Sequence, residues 1–456
     1  MIDPKQIPDD VRSVCRRLRQ AGFESYLVGG SVRDLLVGRN VGDFDVATSA
    51  RPEETLRVFG ARFSVPTGLA HGTVTVLAGS PPRFRQVEVT TFRGEGAYLD
   101  GRHPSVVTFG ATLPEDLSRR DFTMNAIAYD PETGAIIDLH QGQQDIARRL
   151  VRTVGDPILR FSEDGLRPMR AVRQATQLGF DVDASTLAAI SATLASFRKV
   201  SAERVRYELF KLLQAPHPSR GIELMRQTGL LAEVLPELLS GVGCSQNRFH
   251  KHDVYQHCLA TLDAVPADPI LRLVALLHDV GKPAARTPHP SEPGDFTFFK
   301  HEYLGAEMVE GIAGRLRLSR AETELVVALV SNHMFYYTPE WTDGTVRRFV
   351  NRVQADRIGA LFSLREADII SRGRGEDPEG ETRELRARIA RVAAEDAAMR
   401  VKDLAVNGAD VMRVLGVGPG PQVGQILNRL LECVLDDPAL NQKETLERLI
   451  PQVAAG

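Results

Sequence analysis

Hydrophobic periodicity changes character once along this chain, near residue 150, and that change limits the possible folds more than any other feature. Before it, a helical stretch at roughly 10–21 is followed by short runs of β type: SYLVGG, FDVAT, GTVTVLA, RQVEVTTF and NAIAYD. After it the β-branched runs give way to helical spacing, as in STLAAISATLASF, ERVRYELFKLLQ, PILRLVALLHDVG and ETELVVALVSNHM. The expected class is α+β, a head with an antiparallel or mixed sheet followed by regions that are essentially all α. Gly- and Pro-rich breaks near 155–157, 241–243, 287–295 and 372–381 put boundaries near 150, 242 and 376.

A chain of 456 residues, 43% hydrophobic with mean hydropathy −0.16, can bury about three cores of ordinary size. A formal charge of −3 excludes a protein that is basic throughout, so any face for nucleic acid has to be local. Cys15, Cys244, Cys258 and Cys433 are scattered without C-x-x-C spacing, which argues against a zinc ribbon and a disulfide scaffold and for a reducing cytoplasm. No secretion signal and no uninterrupted run of eighteen apolar residues is present, so a cytoplasmic protein with no membrane partner is expected. Nothing in the sequence sets an oligomeric state.

The first chemical constellation is Gly29-Gly30 after an apolar run, then Arg33-Asp34, then Asp43-Phe44-Asp45. Residues i and i+2 of a strand point to one side, so Asp43 and Asp45 can present two carboxylates to one point. Like charges that close favour a divalent cation, while adjacent glycines and a helix start favour phosphate. Together these are parts for metal-assisted transfer to or from a nucleotide. Solvated turn aspartates beside a simple glycine turn are the plain alternative.

GGSVRDLLVGRNVGDFDVAT, TFRGEGAYLDGRHPSVVTF, SRRDFTMNAIAYD and VGDPILRFSEDGLRPMRAVRQ resemble, in order and spacing, the bacterial tRNA nucleotidyltransferase and poly(A) polymerase family. The resemblance covers roughly the first half of the chain. It implies a polymerase-β-like nucleotidyltransferase head at 1–150 and a helical neck at 151–242 that reads the base and tRNA. The implied activity is template-independent addition of CCA to tRNA from CTP and ATP, with Mg²⁺ on Asp43 and Asp45. Glu88 is the candidate third catalytic carboxylate. Gly29, Gly30, Arg33, Asp34, Arg119, Arg120, Asp121, Asn125 and Arg170 are implied to line the nucleotide site.

Glu163-Asp164-Gly165-Leu166-Arg167 matches the family's EDxxR element, which hydrogen-bonds the Watson–Crick edge of CTP or ATP. Carboxylates accept from the exocyclic amines of C and A, and Arg donates to ring nitrogens or the cytosine carbonyl. On one helix Asp164 and Arg167 would share a face and form a plain ion pair. Gly165 stands where many relatives have Pro or Ala, and Pro168 follows the Arg; Pro is tolerated in the first turns of a helix but breaks a hydrogen bond further in, so the base-reading helix is expected to start differently or to bend. The segment 95–104 corresponds to the loop that helps the family switch from C to A addition. Arg148, Arg149, Arg152, Arg167, Arg170, Arg173, Arg198, Lys199, Arg204 and Arg206 are the expected local charge for RNA phosphates.

A second constellation, His257, His278-Asp279, His301, His333 and Asp368, runs through helical segments. Imidazole with carboxylate suits Mn, Fe, Co or Ni, with Mg as the harder alternative. The order resembles the HD-domain metal-dependent phosphohydrolases, with the HD domain at 243–375 and a helical tail, expected to contact tRNA, at 376–456. The resemblance implies a phosphatase or phosphodiesterase for 2′- or 2′,3′-cyclic phosphates. Lys282 is a candidate phosphate holder, and His250 and His252 either join a second metal or do nothing. In the tail, the turn at 416–421 is expected to open a helix at about Gln422, either to offer N–H groups to phosphate or merely to pack. Open alternatives are an enzyme adding only the terminal A, a poly(A) polymerase, and an RNA-binding HD phosphohydrolase with a silent transferase.

Overall fold

The computed structural model describes residues 2–69, 72–80, 83–94, 110–248, 250–394 and 400–455. They fall into two compact units, Met1–Pro236 and Glu237–Gly456. The four-part division above is a finer cut than these two.

Unit 1 is built on a seven-stranded mixed sheet: β1 Ser25–Val28, β2 Phe44–Thr48, β3 Ser64–Gly68, β4 Thr73–Ser80, β5 Arg83–Thr91, β6 Ile127–Tyr129 and β7 Ile136–Asp138. Its order is β3-β4-β5-β2-β1-β6-β7, and only the β2–β5 pair is parallel. The expected first helix spans Asp9–Gln20, opened by two aspartates that suit its positive end. Its buried Val11, Val14, Cys15 and Leu18 fall at the spacing of one helical face and share a core with Leu27, Phe44, Val46, Val87 and Val89. Alternation then turns Val28 and Ala47 to the opposite side, into a second cluster with Phe92, Leu113 and Leu117. The functional face of the sheet is therefore fixed by which β2 residues the core has claimed.

The neck helices include Pro157–Glu163, Arg167–Leu178, Ala202–Leu213 and Pro218–Thr228. Two alternatives left open by the sequence are decided here. Pro168 does not bend a helix, because the helix starts at Arg167 and Pro168 lies in its first turn, where no hydrogen bond is lost. Asp164 and Arg167 do not share a helical face: the first helix ends at Glu163, and Asp164 is extended with φ −138°. Gly165 explains the break, since a Cβ there would lie 2.2 Å from the Ser196 carbonyl oxygen. The region past 150 is also not wholly helical. Leu150–Val151 pairs with Asp181–Val182, and Thr287–Pro288 with Phe296–Thr297, the latter placing the expected loop at 287–295 in a hairpin.

Unit 2 is otherwise helical. Val254–Ala264, Pro269–Leu277, His301–Arg315, Arg320–Asn332 and Ile358–Ser371 carry the second constellation. The tail helix runs Pro421–Asp436, one residue earlier than expected, and buries Val423, Ile426, Leu430, Leu431, Val434 and Leu435. All four cysteines are free. Among the described residues no helix is long and apolar enough to cross a membrane.

Candidate functional site

Asp45 lies inside β2, paired with Val28 of β1 on one side and with Glu88 of β5 on the other. Asp43 is exposed just before the strand begins. Gly29 ends β1 with φ +73° and caps the helix Gly30–Val37. A Cβ on Gly29 would lie 3.2 Å from Arg120 Nη1 and 3.5 Å from Asp45 Oδ2, so glycine permits this approach. Burial, and after it the neighbouring Glu88, push the Asp45 carboxyl up to about 6; Arg120 opposes them, and Asp43 adds a further like charge. Carboxylates crowded in this way fit a hard divalent cation.

Arg119 and Arg120 are both gripped by Asp116, a buried residue that the sequence reading missed. Asp116 Oδ1 accepts from Arg119 Nη2 at 2.7 Å and Oδ2 from Arg120 Nη2 at 2.9 Å. The spacing i,i+3 and i,i+4 from Asp116 was the available signal. Next to them is a network around Asp121. Its Oδ1 accepts from Asn125 Nδ2 at 2.9 Å and its Oδ2 from Arg170 at 3.0 and 2.8 Å. Burial opposes ionisation of Asp121, yet Arg170 and Asn125 hold its carboxyl well below the usual range. Arg33 donates to Asn125 Oδ1 at 2.9 Å and to Gln174 Oε1 at 3.0 Å, and it is paired with Asp34 at 2.9 Å.

The base-reading candidates divide. Arg167 Nη1 donates to Glu163 Oε2 at 2.6 Å and to the Arg160 carbonyl at 2.8 Å. Arg160 also donates to Glu163, at 3.0 Å. Asp164 instead accepts from Arg204 at 2.9 Å. The expected RNA-facing charge is reduced: residues 151–242 hold 12 Lys and Arg against 10 Asp and Glu. At least six of the ten basic residues named above are ion-paired: Arg152, Arg167, Arg170, Arg173, Arg198 and Arg204. The loop expected at 95–104 lies outside the described residues.

Unit 2 brings all six members of the second constellation together. Asp279 faces two pairs of histidines. Its Oδ2 is 3.3 Å from both His257 Nε2 and His278 Nε2, and its Oδ1 is 3.2 Å from His301 Nε2 and 3.6 Å from His333 Nε2. Asp368 Oδ1 is 3.1 Å from His257 Nε2. The Nδ1–H groups of His278, His301 and His333 donate to the carbonyls of Ala275, Phe298 and Val330 at 2.8, 2.8 and 2.7 Å. His257 Nδ1 is 3.0 Å from Ser371 Oγ, whose own hydrogen goes to the Asp368 carbonyl. Every Nδ1 is thus a donor, and every Nε2 turns a lone pair inward.

Those lone pairs face one another at 3.3 Å in His257–His278 and 3.2 Å in His301–His333, which is unfavourable without a cation between them. Asp279 Oδ2 is buried without a hydrogen bond of normal geometry, although Lys282 Nζ stands 2.6 Å away. The donor set therefore fits metal ions, with Asp279 in reach of two. A cleft of about 310 Å³ opens on it, lined by Arg248, His250, Lys282, Phe299 and Arg372 among others. Burial and the nearby Lys282 push the His250 imidazole down to about 3.

Residues 25–152 match the family described as "Poly A polymerase head domain". Residues 179–241 match one named for an RNA- and SrmB-binding region of polymerase A, and 308–450 match a tRNA nucleotidyltransferase domain 2 family. The chain is 34% identical over 451 residues to the CCA-adding enzyme of Streptococcus gordonii, covering 96% of each. It is likewise 34% identical to that of Levilactobacillus brevis, over 95% of each. Among solved structures, the Bacillus stearothermophilus CCA-adding enzyme in complex with CTP superposes with a TM-score of 0.71 at 30% identity, covering 99% of this chain and 98% of that one.

Proposed function

The chain belongs to the CCA-adding enzyme family of tRNA nucleotidyltransferases, and on that premise we propose that transfer runs on Asp43, Asp45 and Glu88 in unit 1. The protein is a template-independent tRNA nucleotidyltransferase that uses CTP and ATP, and like its family it depends on a divalent cation. The tRNA 3′-hydroxyl attacks the α-phosphate, the bond to pyrophosphate breaks, and pyrophosphate leaves. Asp43 and Asp45 would hold the Mg²⁺, which when bound would supply neutralising charge at the triphosphate.

The remaining roles belong to side chains of the chain itself. Arg120 and the helix start at Gly30 take up negative charge on the departing phosphates. Arg119, Arg33, Asp34, Asp121, Asn125 and Arg170 shape the ribose and phosphate pocket. Glu163 accepts from the exocyclic amine of C or A while Arg167 donates to the ring, and Asp164 fixes the turn between them. The observation carrying this reading is the meeting of Asp45, Glu88 and Arg120 beside Gly29.

The test is incorporation of labelled CTP and ATP into one tRNA transcript ending before CCA, after C, or after CC, beside an unrelated RNA. Completion of CCA on all three, and none on the control, is expected. A added to the CC end alone would make it an A-adding specialist, and A runs on every RNA a poly(A) polymerase.

For unit 2 we propose a metal-dependent phosphohydrolase acting on 2′- or 2′,3′-cyclic phosphates at RNA ends. The convergent Nε2 atoms, an Asp279 that faces both histidine pairs, and cationic Arg248, Lys282 and Arg372 along the cleft support it. Phe299, 79% exposed beside them, offers a ring on which a terminal base can stack. Mn, Ni, Co or Fe suits this imidazole-rich set better than Mg. Release of phosphate or opening of a cyclic phosphate end, dependent on one of these metals and lost in His278→Ala, is the expected result. A cytoplasmic location fits a tRNA substrate.

A further inference from the structure

We propose that His250 is an additional metal ligand in unit 2, closing the position formed by His257, His278, Asp279 and Asp368. The inference rests on the metal-site reading above and deepens it. Without His250 the two positions are already unequal. One has two imidazoles and a carboxylate oxygen from each of Asp279 and Asp368; the other has His301, His333 and the second Asp279 oxygen.

His250 adds to the richer side. Its ligand atom lies with those of His257 and Asp368 in one group, all within 4.8 Å of one another. Ligands about 2.1 Å from a transition metal stand about 3.0 Å apart when adjacent and about 4.2 Å apart when opposite, so a small side-chain adjustment on metal binding brings that group into one coordination shell. The His250 ring meets the His257 ring edge-on, with centroids 5.0 Å apart and planes at 86°. Its Nδ1 is 2.8 Å from Asn247 Oδ1, which leaves Nε2 as the lone-pair nitrogen, as in the four histidines of the constellation.

Five protein ligands nearly fill a six-coordinate shell, whereas three leave the other position open. The ion on the His250 side then serves chiefly to hold the site together, and the ion on the His301 side keeps room for a phosphate oxygen. Three imidazoles on one ion also bias that position toward Co, Ni, Fe or Mn over Mg.

The experiment uses the full chain, stripped with chelator and titrated with Co²⁺, reading bound metal per chain by mass spectrometry and the visible absorption of the bound ion. Wild type should take up two ions. His250→Ala should bind one of them at least about tenfold more weakly, and its absorption should intensify as a six-coordinate ion loses a ligand. His250→Gln is measured beside it, and whichever variant keeps the wild-type far-UV circular dichroism carries the comparison. His252→Ala, at an exposed neighbour, should behave as wild type. Unchanged affinity and spectrum in the His250 variants would overturn the assignment while leaving the metal site standing. A wild-type chain that binds no Co²⁺ would overturn both.

Discussion

Glu163 and Arg167 are bonded to each other, Oε2 to Nη1 at 2.6 Å, across a break between two helices. The two side chains that would read the base hold one another in place, and Arg160 grips the same carboxylate oxygen. A carboxylate has a second oxygen and an arginine has further N–H groups, so the pair can keep its mutual bond while offering one acceptor and one donor edge. Removing either partner should loosen selection more than chemistry. Glu163→Ala or Arg167→Ala is expected to let UTP or GTP compete at least about tenfold better while the rate with CTP falls less, measured by competition between labelled nucleotides. Unchanged discrimination would move base reading elsewhere.

Asp116 touches no expected substrate atom yet orients both Arg119 and Arg120. Asp116→Asn keeps the shape and removes the charge. The expected effect is a rise of about tenfold in KM for CTP and ATP with a smaller fall in kcat, and partial rescue by Asp116→Glu. A variant that is merely less stable, with KM unchanged, would confine Asp116 to a packing role.

Gly165→Ala tests the break itself. Its Cβ would meet the Ser196 carbonyl at 2.2 Å, backbone that cannot yield easily. A loss of about 1–3 kcal/mol is expected in urea unfolding, together with weakened base selection as Glu163 and Arg167 shift.

Asp121 carries a pH dependence. Its carboxyl is held well below the usual range by Arg170 and Asn125 despite burial. A depressed folded pKa means that the contribution is complete above the unfolded value of about 3.9 and is lost as pH falls through the folded one. Asp121→Asn should therefore be less stable than wild type at pH 6, and the gap should narrow below about pH 4. A gap independent of pH would mean that the Asp121 charge contributes nothing.

How far the sequence reveals all this depends on the reach of each interaction. Asp43 and Asp45 were legible from residue type and short spacing, and the six members of the histidine and aspartate series from their residue types and their order along successive helical segments. Glu88 was implied by the family resemblance, and the structure pairs it with Asp45 across β2 and β5. The break at 164–166, which rules out the plain Asp164–Arg167 ion pair on one helical face, was not legible because the Gly165–Ser196 contact behind it is tertiary. Gln174, which meets Arg33 from 141 residues away, left no local signal. The basic neck was overread because charge counts do not show pairing: Arg173, for example, is spent on buried Glu208 at 2.5 Å.

The most direct measurement is single-turnover incorporation of CTP into a tRNA ending before CCA by Asp43→Ala and Asp45→Ala, each with circular dichroism and tRNA affinity recorded on the same sample. Incorporation should fall by at least about a thousandfold in both, with the fold and tRNA binding retained. Transfer within about tenfold of wild type in either variant would contradict a cation-dependent transfer centre at the Asp43–Asp45 pair.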